Sequence, residues 1–385
     1  MSISRRGFVR AAGLVGVSSL WSAPVILARG REAAVGEGRE FQSPALPASG
    51  GPIRLSSNEN PVGPPRVAVE ALKAALGDAP RYPARLTQHV SERVAAHHGV
   101  GVDSVVMGCG STEILRMAVQ AWTAPRRALV TAAPTFEDPG RYAELLGVPV
   151  IAVPLTRELK LDLGDMAARA TGAGLVFVCN PNNPTGTVHG ATAISEFVDR
   201  VHRVSPETTV LIDEAYHHYV EDPAYATALP LALERRNVVV CRTFSKLYGM
   251  AGLRLGYALA QPQTIAALRR YRLANGVNAL VAPAAAAALD DASLQGQERA
   301  RNHAAREFTR TALAGIGYPS VASEANFIMV DVRRDAREFQ KACNDRGVQI
   351  GRPFPPLMTH ARISIGTMEE MTAAVGVLKK ILAES

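Results

Sequence analysis

The sequence predicts an α/β protein with a central, mostly parallel sheet flanked by helices and a smaller α/β unit at the C-terminus. Short, nearly continuous apolar runs alternate with helical stretches between residues 100 and 260, which is typical of a sheet buried on both faces. Residues 320–385 then follow the order strand, helix, strand, strand, helix, which indicates a second unit. The strand candidates of the large unit are residues 105–107, 128–132, 148–155, 174–179, 209–212, 237–241 and 256–260.

Composition narrows the class of protein further. Apolar residues make up 47% and charged residues 20% of the 385 residues, which excludes a disordered, collagen-like or polytopic membrane protein. The four cysteines form no CxxC pair and no Cys/His cluster, so neither a disulfide scaffold nor a metal site is predicted. The net charge is +7 without a basic stripe, so nucleic-acid binding is not indicated, whereas a small anionic substrate suits this balance.

The first 28 residues resemble a twin-arginine export signal. The paired arginines are Arg5 and Arg6, and an uncharged, moderately apolar stretch from residue 11 to 28 follows them. This pattern predicts a periplasmic protein that is free of the membrane once the signal is cleaved after Ala28 or slightly later. The alternatives are a basic N-terminal helix or a misassigned start codon, both with a cytoplasmic protein, and a retained signal anchor.

The remaining chain is predicted to divide into four segments. Residues 29–52 are rich in Gly, Pro, Ala and Glu and indicate a linker. Residues 53–80 form an N-terminal arm. The large domain spans residues 81–316, whose last part, from residue 283, is rich in Ala and Arg with helical periodicity, and the small domain spans residues 317–385.

Lys246 is the first candidate catalytic residue. It follows an apolar strand and is flanked by hydroxyl residues and glycines, a setting suited to a Schiff base with a carbonyl compound. Arg254, eight residues later, can return to the same pocket and hold a phosphate. Considered alone, Lys246 is equally explained as a solvated surface lysine.

Asp213 follows directly on the apolar run 210–212, at the carboxyl end of a predicted strand. Open α/β sheets bind their ligands at this end of the strands, and a carboxylate there can pair with a protonated ring nitrogen. Tyr216, three residues later, can donate a hydrogen bond to a phenolate oxygen. The alternative is that Asp213 only caps the next helix.

Two further connections carry polar groups. Ser111 and Thr112 open a predicted helix after a Gly-rich turn, where free N–H groups favour a phosphate, although helix capping also explains them. Asn183 lies between turn-forming prolines, which present its amide in one orientation, unless the segment is a plain loop. These polar groups, the aromatic Phe136, Ser245 and the residues of the two preceding paragraphs are together the parts needed to hold pyridoxal 5′-phosphate.

These motifs resemble the fold-type I aminotransferases of classes I and II, above all the histidinol-phosphate aminotransferase branch. The branch features are residues 55–65, 81–83 and 361–367, and the resemblance covers about residues 50–385. It implies a seven-stranded central sheet in the large domain and pyridoxal 5′-phosphate as cofactor. It also implies amino transfer from a histidinol-phosphate-like or aromatic donor to a 2-oxo acid such as 2-oxoglutarate.

The resemblance also implies a role for each motif residue. Lys246 matches the lysine that joins the cofactor and moves a proton, and Asp213 matches the partner of the ring nitrogen. Tyr216 and Asn183 match the residues that donate to the ring hydroxyl, and Phe136 the residue stacked on the ring. The residues that match phosphate ligands are Ser111, Thr112, Ser245 and Arg254, with Tyr82 reaching the phosphate from the neighbouring subunit of a homodimer with shared active sites.

Substrate recognition is implied to depend on Arg362, which suits either a carboxylate or a phosphate. Asn60 and Arg352 lie in segments that line the substrate side. The chain departs from the family pattern here, because Phe136 stands where tyrosine is frequent and the acidic residues 137–138 follow it. Two acidic side chains favour a basic substrate unless their loop is solvated.

Export argues against a housekeeping role in histidine synthesis, which is expected in the cytoplasm. The sequence also leaves open two alternatives to a transaminase. One is a decarboxylase or other lyase of the threonine-phosphate decarboxylase type, which uses the same cofactor. The other is a non-catalytic relative that has kept the fold.

Overall fold

The computed structural model describes residues 51–384, which belong to one compact unit. The predicted export signal and most of the predicted linker lie outside the described residues. Within this range no helix has the length and apolarity that a membrane span requires. The strands are β1 (Ile53–Leu55), β2 (Val105–Gly108), β3 (Leu129–Ala133), β4 (Val150–Pro154), β5 (Leu175–Cys179), β6 (Thr209–Asp213), β7 (Val238–Thr243), β8 (Gly256–Leu259), β9 (Phe327–Asp331), β10 (Val348–Ile350) and β11 (His360–Ser364). The helices are α1 (Arg66–Ala74), α2 (Ala84–His98), α3 (Gly110–Trp122), α4 (Asp138–Leu145), α5 (Leu163–Ala168), α6 (Ala191–Val204), α7 (Leu229–Glu234), α8 (Pro262–Arg269), α9 (Val281–Asp290), α10 (Leu294–Ala314), α11 (Ala336–Asp345) and α12 (Met368–Ala383).

The central sheet has seven strands in the order β2-β8-β7-β6-β5-β3-β4. Strand β8 is antiparallel to β2 and β7, and the other neighbouring pairs are parallel. Parallel neighbours need long crossover connections, and the intervening helices supply them. The predicted α/β class and the mostly parallel seven-stranded sheet are confirmed.

Strand β5 shows why the apolar runs are nearly continuous. Successive side chains of a strand point to opposite faces of the sheet. Val176 and Val178 pack with residues of α5 and α6 on one face, while Phe177 packs with residues of α3 and α8 on the other. Both faces are covered by helices, so every position of the strand is buried.

The carboxyl ends of β5, β6 and β7 meet at one edge of the sheet. Asp213 is paired in register with Cys179 of β5 and Cys241 of β7, which places it in the middle of this edge. The loops that leave β5 and β7 carry Asn183 and Lys246 to the same edge. The topology therefore brings together candidate site residues that lie far apart in the sequence.

The C-terminal unit contains two small sheets covered by α11 and α12. Strand β11 pairs antiparallel with β9, and β10 pairs in parallel with β1. Strand β1 was not predicted; it comes from the N-terminal arm, and its Leu55 lies in the core of this unit. Ala305 and Leu313 of α10 lie in the same core, so the unit also uses chain that precedes residue 317.

Candidate active site

A cavity of about 410 Å³ opens at the carboxyl edge of the central sheet. It contains the predicted site residues with the exception of Asn60 and Tyr82. The predicted residues that line it are Ser111, Thr112, Phe136, Asn183, Asp213, Tyr216, Ser245, Lys246, Arg254, Arg352 and Arg362. Residues of the central sheet and its connections therefore line one cavity together with residues of the C-terminal unit.

Lys246 enters the cavity from the loop that follows β7. Its Nζ donates a hydrogen bond of 3.4 Å to the Ser57 carbonyl oxygen and lies 5.7 Å from the centre of the Tyr216 ring. Burial, and next the charge of Arg362, lower the pKa of the Lys246 amine to about 8. At pH 7 roughly a tenth of an amine with this pKa is unprotonated, a far larger share than for an ordinary lysine, and this is the form that acts as a nucleophile and a proton acceptor.

Asp213, the last residue of β6, is only 3% exposed. Its Oδ1 accepts a hydrogen bond of 3.1 Å from the Ala215 backbone N–H. Burial raises the pKa of this carboxyl to about 7, because the charged form is poorly solvated. A buried carboxyl beside a cavity gains most from a cationic partner, which a protonated ring nitrogen provides.

Tyr216 is held by an asparagine of the N-terminal arm. Asn58 Nδ2 donates to the Tyr216 hydroxyl oxygen at 3.2 Å, and the Ser364 hydroxyl donates to Asn58 Oδ1 at 2.8 Å. The Asn58 backbone N–H also donates to Ser364 Oγ at 2.9 Å. Asn58 adopts a φ of 54°, a left-handed conformation that asparagine tolerates better than most residues. The arm, the large sheet and β11 thus meet at one phenol group.

The start of α3 and Arg254 form a cup for an anion. Arg254 Nη1 donates to Ser245 Oγ at 3.3 Å and to the Ala251 carbonyl at 2.9 Å, beside Ser111 and Thr112. Gly110 has a φ of 74°, and a Cβ at this position would collide with the Arg254 guanidinium. The free N–H groups of the helix and this cation point to a phosphate site.

Arg362 reaches the cavity from β11. It donates to Asn183 Oδ1 at 2.7 Å and to the Ser56 carbonyl at 2.6 Å. Its guanidinium carbon lies 5.6 Å from the centre of the Phe327 ring and 4.7 Å from that of Phe354. The buried Arg362 Nε has no hydrogen-bond partner among the described residues. Arg362 therefore retains capacity for an anionic ligand.

At the solvent-exposed side of the cavity, here called its mouth, an ion pair joins Glu137, just before α4, to Arg352, just after β10. Arg352 Nη2 lies 2.7 Å from Glu137 Oε1, and Arg141 Nη2 lies 2.5 Å from Glu137 Oε2. The Arg352 guanidinium carbon lies 4.4 Å from the centre of the Phe354 ring. The acidic residues that follow Phe136 are therefore engaged by arginines, since Asp138 pairs with Arg116 at 3.4 Å.

Asn60 and Tyr82 lie outside this cavity. Asn60 is buried, and its amide donates to the Leu247 carbonyl at 2.8 Å and to Glu298 Oε2 at 2.9 Å. These contacts tie the arm to the loop after Lys246, so the structure gives Asn60 a supporting position. Tyr82 is 86% exposed on the surface of the described chain.

Several residues that line the cavity were not predicted from the sequence. They are Ser57, Asn58, Glu59, Thr135, Arg141, Cys179, Ala215, Thr243, Ala251 and Phe354, whereas Glu137 and Asp138 were considered only as acidic residues that favour a basic substrate. Some of these lie close to predicted residues in the chain, as Asn58 does to Asn60. The hydrogen bond from Asn58 to Tyr216 joins residues 158 positions apart in the chain, so the local sequence could not predict it.

Comparison with known proteins identifies the family. A family model described as aminotransferase class I and II matches residues 51–378. The chain belongs to this family. The histidinol-phosphate aminotransferase of Moorella thermoacetica is 40% identical over 335 residues, which are 86% of this chain and 86% of that protein. The aromatic amino acid aminotransferase of Thermobifida fusca is 37% identical, covering 85% of this chain and 89% of that one.

A solved structure extends the likeness to three dimensions. The histidinol-phosphate aminotransferase from Sinorhizobium meliloti in complex with pyridoxal-5′-phosphate is 26% identical, with a TM-score of 0.79. The match covers 86% of this chain and 90% of that chain. Membership in the family confirms the predicted enzyme class and its cofactor, pyridoxal 5′-phosphate.

The cavity of this aminotransferase fits that cofactor. The cup at α3 offers N–H groups, hydroxyls and Arg254 to the phosphate, and Asp213 offers a buried carboxyl to the ring nitrogen. Asn183 accepts from Arg362 through Oδ1, which leaves its NH₂ group to donate to the ring hydroxyl. Residues 51–384 contain no cluster of His, Cys, Asp and Glu able to bind a metal ion.

Replacing Asn58 with glycine tests whether its amide positions Tyr216. Glycine adopts the left-handed backbone conformation without strain. The change therefore removes the side-chain hydrogen bonds to Tyr216 and Ser364 and leaves the turn intact. We expect kcat to fall about tenfold, because the loss of one positioning hydrogen bond is worth about 1.4 kcal/mol. Steady-state kinetics and the absorbance of the bound cofactor measure the effect.

Asn237→Gly is the matched control. Asn237 has a φ of 59° at the opposite end of β7, and its amide donates to the Pro206 carbonyl. This variant should retain the wild-type kcat. Wild-type kinetics for Asn58→Gly would mean that Tyr216 is oriented without the amide.

Proposed function

We propose that this aminotransferase moves an amino group from a histidinol-phosphate-like or aromatic donor to a 2-oxo acid such as 2-oxoglutarate. The observation that carries the proposal is the position of Arg362, which lines one cavity with Lys246 and Asp213 and lies against the Phe354 ring. An anion-binding group beside an aromatic wall suits a donor with one anionic end and a flat side chain. The names of the relatives from Moorella and Thermobifida support the same two donor types.

Lys246 and Asp213 have different roles when the proton leaves the donor Cα. When bound, pyridoxal 5′-phosphate supplies an electron sink for the charge left at the donor Cα. Lys246 Nζ takes the proton from this carbon, and its lowered pKa raises the share of the amine that is unprotonated and can accept it. The Asp213 carboxylate would hold a proton on the ring nitrogen, and the protonated ring is the stronger electron sink.

Other residues fix the geometry of the reaction. Arg254, together with Ser111 and Thr112, would anchor the phosphate and thereby fix the orientation of the cofactor relative to Lys246. Asn58 holds Tyr216 and Arg362 holds Asn183, and these two residues would donate to the ring hydroxyl of the cofactor. A fixed orientation of the cofactor favours transamination over the other reactions that a negative charge at the donor Cα allows.

A panel of donors and acceptors tests this function. The holoenzyme is incubated with histidinol phosphate, phenylalanine, tyrosine, histidine and alanine, each with 2-oxoglutarate, pyruvate or no acceptor. We expect glutamate to accumulate from 2-oxoglutarate with the first three donors and no sustained turnover without acceptor. Chromatography of the products with isotope-labelled donors measures both.

The same panel separates the two alternatives. A decarboxylase releases carbon dioxide from an amino acid without any acceptor, so acceptor-independent release would replace the transaminase by a lyase. A non-catalytic relative converts no donor, although it still binds the cofactor. Each outcome therefore assigns a different class to the protein.

We propose that the enzyme is a homodimer in which Tyr82 of one subunit reaches the phosphate site of the other. Three observations support this. Tyr82 is 86% exposed, and the exposed Leu273 lines a small cleft together with Ala84 at the start of the adjacent helix. Glu113 Oε1 accepts the Leu273 N–H at 2.7 Å, while its Oε2 accepts the Cys109 N–H at 2.5 Å. The phosphate cup is thereby tied to this exposed surface.

Subunit mixing tests the shared site. Tyr82→Ala and Lys246→Ala are each expected to be nearly inactive as homodimers. In a randomly mixed dimer one site carries both changes and the other carries neither, so about a quarter of the wild-type activity should return. Light scattering reports the dimer itself, and a mixture that stays inactive would show that each site is built from one chain.

We propose that the protein is exported to the periplasm through the twin-arginine route. The paired Arg5 and Arg6 before an uncharged stretch support this, and so does the need for a bound cofactor. The route carries folded proteins, which allows the cofactor to be loaded before export. A fusion reporter should appear in the periplasm and stay in the cytoplasm after Arg5→Lys/Arg6→Lys. A reporter that is cytoplasmic with and without these changes would exclude export.

A further inference from the structure

Glu137 has no part in the chemistry described above, yet it holds two arginines at the mouth of the cavity. Its Oε1 lies 2.7 Å from Arg352 Nη2, and its Oε2 lies 2.5 Å from Arg141 Nη2. Glu137 precedes α4 beside the central sheet, whereas Arg352 follows β10 in the C-terminal unit. All three residues line the cavity.

The other charged groups of the cavity have different partners. Asp213 and Arg254 face the cofactor, as described above. Glu59 pairs with Arg54 at 3.2 Å, on the exposed side of the arm. Arg362 donates only to neutral oxygens and, within the described residues, forms no ion pair. The charge of Arg362 is therefore available to a substrate, whereas Arg352 already shares the carboxylate of Glu137 with Arg141.

Arg352 and Arg362 both contact the ring of Phe354. Its ring centre is 4.4 Å from the guanidinium carbon of Arg352 and 4.7 Å from that of Arg362. A donor anchored on Arg362 therefore lies close to an aromatic ring and to an arginine that already has a carboxylate partner. A second carboxylate on the substrate has to displace Glu137 from Arg352 and approach its negative charge.

We propose that Glu137 is a specificity-determining residue that favours substrates with an uncharged, flat side chain over substrates with an acidic side chain. It does so because its carboxylate already occupies Arg352 and lies where a second carboxylate of the substrate would bind. The inference rests on the proposed aminotransferase function and adds the basis of its donor preference. Because the side chains of Arg352 and Glu137 are 46% and 31% exposed, the pair is weak enough for a dicarboxylate to displace it. Acidic substrates are thus disfavoured and not excluded.

Ligand binding to the holoenzyme tests the preference without any turnover. The probes are glutarate, a dicarboxylate, and 3-phenylpropionate, which has one carboxylate and a flat ring; calorimetry gives the Kd of each. Glu137→Gln keeps the shape of the side chain and removes its charge. We expect it to tighten glutarate about fivefold, the factor that a partly exposed ion pair is worth, and to leave 3-phenylpropionate within about twofold.

Two further variants show whether the effect acts through Arg352. In an Arg352→Ala background, Glu137→Gln should no longer improve glutarate binding, because the freed cation is absent. Glu144→Gln is the matched control, since Glu144 is an exposed residue of α4 and does not line the cavity. It should leave both dissociation constants at the wild-type values.

Kinetics and stability complete the experiment. The ratio of kcat/KM for glutamate to that for phenylalanine should rise about fivefold in Glu137→Gln. Thermal melting checks the fold, and Glu137→Asp, which keeps the charge, should stay closer to wild type in the glutarate Kd. An unchanged ratio of the two dissociation constants in Glu137→Gln overturns the inference, as does an equal gain without Arg352. Failure of the proposed function gives a different result, namely that the wild-type holoenzyme transaminates no donor.

Discussion

Lys246→Ala is expected to lower kcat by about 10⁴-fold while the protein remains folded. The change removes the amine that joins the cofactor and the group that takes the proton from the donor Cα, and no other lysine of the described chain lines the cavity. The variant should still bind pyridoxal 5′-phosphate, because the phosphate cup and Asp213 are untouched. It should lack the covalent link, which borohydride reduction followed by peptide mass spectrometry detects at position 246 in the wild type.

Lys379→Ala is the control for this experiment. Lys379 is an exposed residue of α12, so its removal should change neither kcat nor the borohydride product. Circular dichroism and thermal melting verify that both variants are folded. A Lys246→Ala enzyme with kcat within tenfold of wild type, or a reduced adduct on another residue of the wild type, would contradict the assignment of Lys246.

The strands of the central sheet were predictable because burial on both faces leaves a local pattern. Strand β6 is apolar from Val210 to Ile212 and ends in the one charged residue of the run, Asp213. Strand β1 left no such pattern. It has three residues, and its partner β10 lies about 300 positions later, so its pairing depends on the packing of Leu55 in a distant core.

The site was predictable to the same extent and for the same reason. Asp213 and Lys246 follow apolar strands, and the carboxyl ends of parallel strands converge on one edge whatever the details of packing. The contacts that the N-terminal arm and the C-terminal unit make with the region of the central sheet were not predictable. Asn58 reaches Tyr216, and Glu137 reaches Arg352, only because the folded arm and the C-terminal unit are placed against the sheet. The acidic pair after Phe136 suggested a basic substrate, but both carboxylates already have arginine partners within the protein.

Asp213→Asn is expected to lower kcat about 10³-fold, which corresponds to about 4 kcal/mol of transition-state stabilisation. Asparagine has nearly the shape of aspartate but carries no charge, so it cannot hold a proton on the ring nitrogen. The electron sink is then weakened, while Lys246 and the phosphate cup remain in place. Single-turnover kinetics with phenylalanine, followed by the absorbance of the cofactor, measures the loss at the chemical step. A variant with wild-type single-turnover rates would exclude this role for Asp213.

The same substitution should stabilise the cofactor-free protein. Burial raises the pKa of Asp213 from 3.8 to about 7, so the folded chain holds a proton there that the unfolded chain has already released. The unfolded state therefore binds fewer protons between pH 4 and pH 7, and the free energy of unfolding falls as the pH rises through this interval. The asparagine side chain does not titrate, so cofactor-free Asp213→Asn should exceed the wild type by on the order of 3 kcal/mol at pH 8.

The advantage of the variant should shrink towards pH 4, where Asp213 is protonated in the folded chain and largely protonated in the unfolded chain, and should reverse when the cofactor is bound. In the holoenzyme the cationic ring nitrogen compensates the buried carboxylate, and only the wild type gains this pairing. Urea unfolding of both proteins at pH 5 and pH 8, with and without pyridoxal 5′-phosphate, gives the four differences. Equal stability of the two cofactor-free proteins at both pH values would mean that water solvates Asp213 in the empty cavity, and that its burial imposes no cost for the cofactor to offset.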